Sequence, residues 1–137
     1  MKTLRSTLVG LSIILFLAGC MEFNENELKF DHELIGAWSN IEYNELGMTM
    51  SKVNNLEKNI YGYVFNTNGT MVARMNSGWC GTPPIITQDY EGTWKIGEDE
   101  KILVSVGDWM GNTTQEWLVS FEKDKRVSIL INHSSID

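Results

Sequence analysis

The chain is poor in the residues that most often carry chemistry. Its 137 residues include two histidines, two cysteines, two prolines and 11 basic residues. His32 and His133 lie far apart along the chain. Neither stands in a His-x-x-x-His or Cys-x-x-Cys spacing, so no zinc site is expected. Cys20 and Cys80 are too few for a disulfide framework. The 18 acidic residues outnumber the basic ones and leave a net charge of −7. Such a surface repels phosphate backbones, which argues against a nucleic-acid partner. There is no Gly-x-Ser-x-Gly elbow and no phosphate-binding glycine loop. The carboxylates are scattered, and no pair stands out for acid–base work. Met48-Thr49-Met50 offers soft thioethers suited to Cu(I), with Met71, Met75 or Cys80 as a third ligand. Methionine also fills irregular cores, and that reading is preferred. The expectation is a non-enzymatic protein with no metal and no cofactor.

The chain also lacks an apolar run long enough to span a bilayer, which takes about 20 residues. Residues 8–18 form an apolar stretch of about 11, the length of a signal-peptide core, behind the positive Lys2 and Arg5. Leu17-Ala18-Gly19-Cys20 closes it. This resembles the lipobox of bacterial lipoproteins. The resemblance implies that residues 1–19 are a lipoprotein signal peptide, and that Cys20 carries diacylglycerol and a palmitate-type acyl chain. The protein would then be exported and held at a membrane by lipid. Without Lys2 and Arg5, 9 basic residues face 18 acidic ones, a net charge of −9. The acyl chains, not a basic patch, would hold such a chain to the bilayer. Met21 after the cysteine resembles an outer-membrane address, on the periplasmic face or the cell surface. Glu22, Glu25 and Glu27 resemble the surface-export signals of Bacteroidota lipoproteins. Cys80 would have no partner in its own chain and is expected to be buried.

Residues 20–34 read as the lipidated cysteine and a flexible acidic tether. Residues 35–137 read as one β domain. Tyr90, Gly92, Trp94 and Ile96 alternate with polar residues, as do Ile102, Val104 and Val106. Trp117, Val119 and Phe121 repeat the period of two, and so do Val127, Ile129 and Ile131. Gly97-Glu98-Asp99-Glu100, residues 107–113 and Lys123-Asp124-Lys125 are the intervening turns. Tyr61, Tyr63 and Phe65 precede Asn66-Thr67-Asn68-Gly69, a strong hairpin signal, with a return strand over residues 70–75. Residues 36–43 form the opening strand. Leu46, Met50, Val53, Leu56 and Ile60 suit one face of a helix, whereas Met48 and Met50 alone suit a short strand. The pattern predicts an all-β fold: an antiparallel up-and-down meander of about eight strands closed into a small barrel.

Gly36-Ala37-Trp38, then Phe65-Asn66-Thr67-Asn68-Gly69-Thr70, then Gly92-Thr93-Trp94-Lys95-Ile96 with Ile102-Leu103-Val104 follow in order. This looks like the small lipocalin-like lipoproteins of Bacteroidota. The resemblance implies a lipocalin-like barrel with Trp38 plugging its closed end. It implies a fold more than a function. The chain is shorter than a true lipocalin and has no disulfide.

Trp38, Tyr63, Phe65, Trp94 and Trp117 are the expected inward aromatics. With Trp79 they are the candidate contacts for a small hydrophobic ligand. Residues 76–89, with Trp79-Cys80-Gly81-Thr82-Pro83-Pro84, form a long loop that is either a structural flap or a ligand or partner loop. Leu103, Leu118 and Leu130 are expected to form an outer apolar stripe, covered by residues 46–60 or by a protein partner. Two functions follow. One is a lipid-anchored barrel that binds a small apolar ligand. The other is a filled barrel that acts as an interaction or inhibitor module on an envelope protein. The anchor is tested directly: cells making the chain should incorporate labelled palmitate into it, and Cys20→Ala should abolish the label. Label retained in the variant would refute lipidation at Cys20.

Overall fold

A computed structural model describes residues 32–78 and 83–136, with the side chains of 133–136 left out. Cys20, the signal segment, Trp79 and Cys80 lie outside the described residues, as does most of the expected tether. Eight strands make up the fold: β1 (Gly36–Asn44), β2 (Gly47–Val53), β3 (Gly62–Phe65), β4 (Thr70–Asn76), β5 (Thr87–Ile96), β6 (Ile102–Asp108), β7 (Gly111–Phe121) and β8 (Arg126–Ile136). All pairings are antiparallel, and the sheet closes in the order β1-β2-β8-β7-β6-β5-β4-β3. An eight-stranded closed barrel of this kind is consistent with a lipocalin-like fold.

From β3 to β8 the strands follow one another as the expected meander. The first hairpin departs from chain order. β1 pairs with both β2 and β3, and β2 pairs with β8. Because β2 and β3 both run antiparallel to β1, they run parallel to each other. Residues 54–61 must therefore return along the length of the barrel before β3 begins. They do so across the outer face of β1. Ala37 and Ser39 point outward yet are only 8% and 4% exposed, because this crossover covers them. Ser39 Oγ donates to the Tyr61 carbonyl at 2.8 Å. Gly62 lies under the crossover, where a Cβ would meet the Leu56 side chain and the Trp38 carbonyl oxygen.

Arg74 pins the crossover from the side. Its Nε and Nη2 donate to the two oxygens of Asp89 at 2.6 and 2.8 Å. Its Nη1 donates to the carbonyls of Leu56 and Glu57, both at 3.1 Å. The planar guanidinium suits such a fork, because it can satisfy a carboxylate and two carbonyls at once.

The remaining differences from the sequence reading are local. Residues 46–60 are a strand and then the crossover, not a helix. They cover β1 and β3, not the leucines. Leu118 faces Leu130 directly, but Leu103 pairs with Glu116 and so lies one rung away from the expected stripe. β5 begins at Thr87, β7 at Gly111, and β8 runs on to Ile136. Those extensions are polar, so their apolar alternation fades while the ladder continues. Leu34, the last residue of the expected tether, is instead fully buried in the core. Packing therefore begins just before Ile35.

The ends of the barrel differ. The chain enters at one end, called here end A, beside the hairpin tips 66–69, 97–101 and 122–125. End A is closed. The Trp38 indole donates to the Leu34 carbonyl at 2.6 Å, and the Lys52 ammonium lies 5.2 Å from the Trp38 ring centroid. His32 lies edge-on to Trp94, with ring centroids 5.9 Å apart, and also contacts Phe121. Trp94 is held by the Asn-Gly hairpin: its backbone N–H donates to the Gly69 carbonyl at 2.8 Å and its indole to that of Asn66 at 3.0 Å. Gly69 has φ +81°, which explains the glycine there.

Trp94→Ala is expected to cost about 3–5 kcal/mol in denaturant melts, since it empties a packed site. A loss below about 1 kcal/mol would contradict the closed end described. A second test uses pH. The Arg74 guanidinium, mainly through its hydrogen bonds, holds the Asp89 carboxyl below the ordinary carboxylate range. The stabilisation is therefore full above the unfolded value of about 3.9 and is lost as pH falls through the lower folded value. The Asp89 side chain is 47% exposed, so the effect is at most about 1 kcal/mol. Asp89→Asn should melt earlier than the parent at pH 7, and the gap should close toward pH 3. An equal gap at both pH values would contradict the pairing.

Candidate functional site

Residues paired across an antiparallel ladder project to the same face, so the register identifies the rows that line the interior. Three rows are buried from the end A side to mid-barrel and lose burial beyond it, and two more flank a buried indole with less buried residues on both sides. Ala73 is buried and Met75 is half-buried; Val104 is buried and Val106 half-buried; Ile129 is buried and Ile131 half-buried. Trp117 is buried, while Gln115 and Thr113 are half-buried. Trp94 is buried, Tyr90 half-buried and Gln88 exposed. All five lose burial toward the end opposite the chain entry, here end B; the rows of Trp117 and Trp94 also lose it toward end A, at half-buried Val119 and Phe121 and exposed Ile96.

The apolar surface collects around the same end. Tyr43, Leu46, Ile60, Ile85, Ile86, Trp109 and Met110 are 41–70% exposed, and they lie in or beside the connections that meet there. Only Ile96 and Leu130 complete the set of exposed large apolar side chains among the described residues. The tip of the β6–β7 hairpin carries Trp109 and Met110 on a tight turn. The Asp108 carboxylate closes this turn by accepting from the backbone N–H groups of Met110 and Gly111 at 2.6 and 3.1 Å.

Tyr63 and Trp117 meet on the interior at mid-barrel. Their rings are edge-to-face, with centroids 5.4 Å apart, and Tyr63 stacks on Phe65. The Trp117 indole donates to Gln115 Oε1 at 2.8 Å. That bond fixes the Gln115 amide, because the oxygen must face the indole N–H. The amide nitrogen has no partner among the described residues. The Tyr63 hydroxyl has none either, although the residue is only 8% exposed. No fully buried polar side-chain atom among the described residues lacks a partner. The hydroxyl is therefore the part of Tyr63 that solvent space reaches. Burial, and after it the neighbouring Tyr43, pushes the phenol far above its ordinary value, so it stays protonated and able to donate.

The expected ligand contacts thus separate into two groups. Tyr63 and Trp117 form the floor of the open half. Trp38, Phe65 and Trp94 belong to the closed half, at 1–2% exposure, with their faces occupied by other rings. Trp79 lies outside the described residues. Gln115 escaped the sequence reading. Its signal was available: it shares parity with Trp117, Val119 and Phe121, a polar residue on an apolar row.

Other candidates are already engaged. Met48, Met50 and Met71 are fully buried core residues. Among the described residues no three His, Cys, Asp or Glu converge. A recess of about 540 Å³ lies outside the barrel wall beneath the crossover, lined in part by Asn54, Asn55, Asn66 and Asn68. Asn66 Nδ2 and Asn68 Oδ1 are both bonded to Thr70 in the adjoining hairpin. Among known proteins, no family model, no curated sequence and no solved structure matches this chain.

Proposed function

We propose that the protein is a lipid-anchored component of a bacterial envelope whose barrel takes up a small apolar molecule through end B. The anchor rests on the lipobox resemblance at Leu17-Ala18-Gly19-Cys20. One observation carries the binding reading: three inward rows, those of Ala73, Val104 and Ile129, stay buried toward end A and lose burial toward end B, while end A is covered by Leu34, Trp38 and Trp94. A barrel filled along its whole length would have buried those rows at both ends. Eight strands enclose an interior wide enough for one small ligand when side chains do not fill it. Half-buried Met75, Val106 and Ile131 supply apolar walls, and the exposed Ile, Trp and Met side chains form an apolar rim. Such a lining suits molecules that water solvates poorly.

Trp117 is the natural reporter, since it stands at the floor. Titrating the purified protein with medium-chain aliphatic molecules should shift the indole emission to shorter wavelength and saturate. Trp117→Phe should remove most of the shift while leaving binding measurable by calorimetry. A response that never saturates, or none at all, would refute the binding reading.

A further inference from the structure

We infer that the open half selects ligands with a neutral hydrogen-bond-accepting head, such as an ester, amide or ketone carbonyl, and turns away ionised carboxylates and phosphates. The inference rests on the binding reading above and deepens it. Two donors stand on the floor without partners among the described residues: the Tyr63 hydroxyl and the Gln115 amide nitrogen. The Trp117 ring links them, lying against the Tyr63 ring and donating to Gln115 Oε1. An apolar molecule with no polar group would leave both donors unsatisfied on burial, which is costly. A carbonyl oxygen has two lone pairs and satisfies a donor that a hydrocarbon cannot.

The charge of the site excludes an anion. The inward rows of the open half carry no Lys, Arg or His among the described residues. Their one carboxylate is Asp108, at the rim, and it is already committed to turn amides. The inward-facing lysine register position, Lys52, lies at the sealed end over Trp38. A carboxylate pushed to the floor would lose its hydration without gaining a cation, and a buried unpaired charge is far more expensive than a neutral dipole. The acidic protein as a whole adds long-range repulsion of anions.

The test compares three probes with the same apolar chain: methyl decanoate, decanoate at pH 8, and decane. The protein should bind methyl decanoate at least tenfold more tightly than decanoate. Tyr63→Phe should weaken methyl decanoate binding by about tenfold, the scale of one hydrogen bond, and leave decane unchanged. The ester carbonyl stretch should move to lower frequency on binding to the parent, and move back in Tyr63→Phe. This infrared readout does not depend on the variant's stability. Decanoate binding as tightly as the ester would overturn the neutral-head assignment. So would an ester no better than decane, or an ester that Tyr63→Phe holds as well as the parent does. If none of the three probes binds saturably, the binding reading itself fails.

Discussion

Each buried indole must find an acceptor for its N–H, and this requirement organises the barrel. An unpaired N–H in an apolar interior costs more than the ring's burial can comfortably offset. Trp38 meets the need with the Leu34 carbonyl and Trp94 with that of Asn66. Both acceptors are backbone groups at end A, so meeting the requirement draws the entering chain and the first meander hairpin over that end. Trp117 lies deeper, where no backbone carbonyl serves it, and it uses Gln115 instead. A side-chain acceptor brings its own donor with it. The bond that seals Trp117 therefore leaves an amide nitrogen facing the open half. Closure at one end and polarity at the other arise from the same physical demand.

The β content was legible because period two is a local property. Tyr90 to Ile96, Ile102 to Val106 and Val127 to Ile131 each declare two faces without knowledge of a neighbour. Which strand lies beside which is not local. The β1–β2 hairpin can join the sheet by either edge, and its residues alternate identically in both cases. The choice shows only in the outer face of β1, where Ala37 and Ser39 are small enough to lie beneath a returning chain, and in Gly62, which makes room for Leu56. The helix-like spacing of Leu46, Met50, Val53, Leu56 and Ile60 has the same origin. Met50 points inward, Val53 and Leu56 lie on the outer side, and Leu46 and Ile60 reach the rim. Three unrelated environments happened to fall at steps of three and four.

The candidate site was half legible. Parity marked Trp38, Tyr63, Phe65, Trp94 and Trp117 as inward, and all five are buried. Parity does not say how far along the barrel axis a residue lies, because that depends on the stagger between strands. Tyr63 and Phe65 share a face and a strand, yet Phe65 belongs to the sealed half and Tyr63 to the floor. The distinction needs the register, in which Phe65 pairs with Met71 and Tyr63 with Ala73.

Tight packing and unpaired polarity are therefore segregated along one axis. The half nearest the chain entry contains the sealed rings, the backbone-bonded indoles and the glycine-dependent hairpin. The far half contains the unsatisfied donors and the exposed apolar rim. Groups that would be defects in the sealed half can persist in the open one because solvent satisfies them in the empty state. Displacing that solvent is favourable only for a molecule that replaces its hydrogen bonds and buries apolar surface at the same time. On the proposed function, selectivity would follow from what the floor leaves unpaired, and the walls would supply most of the affinity.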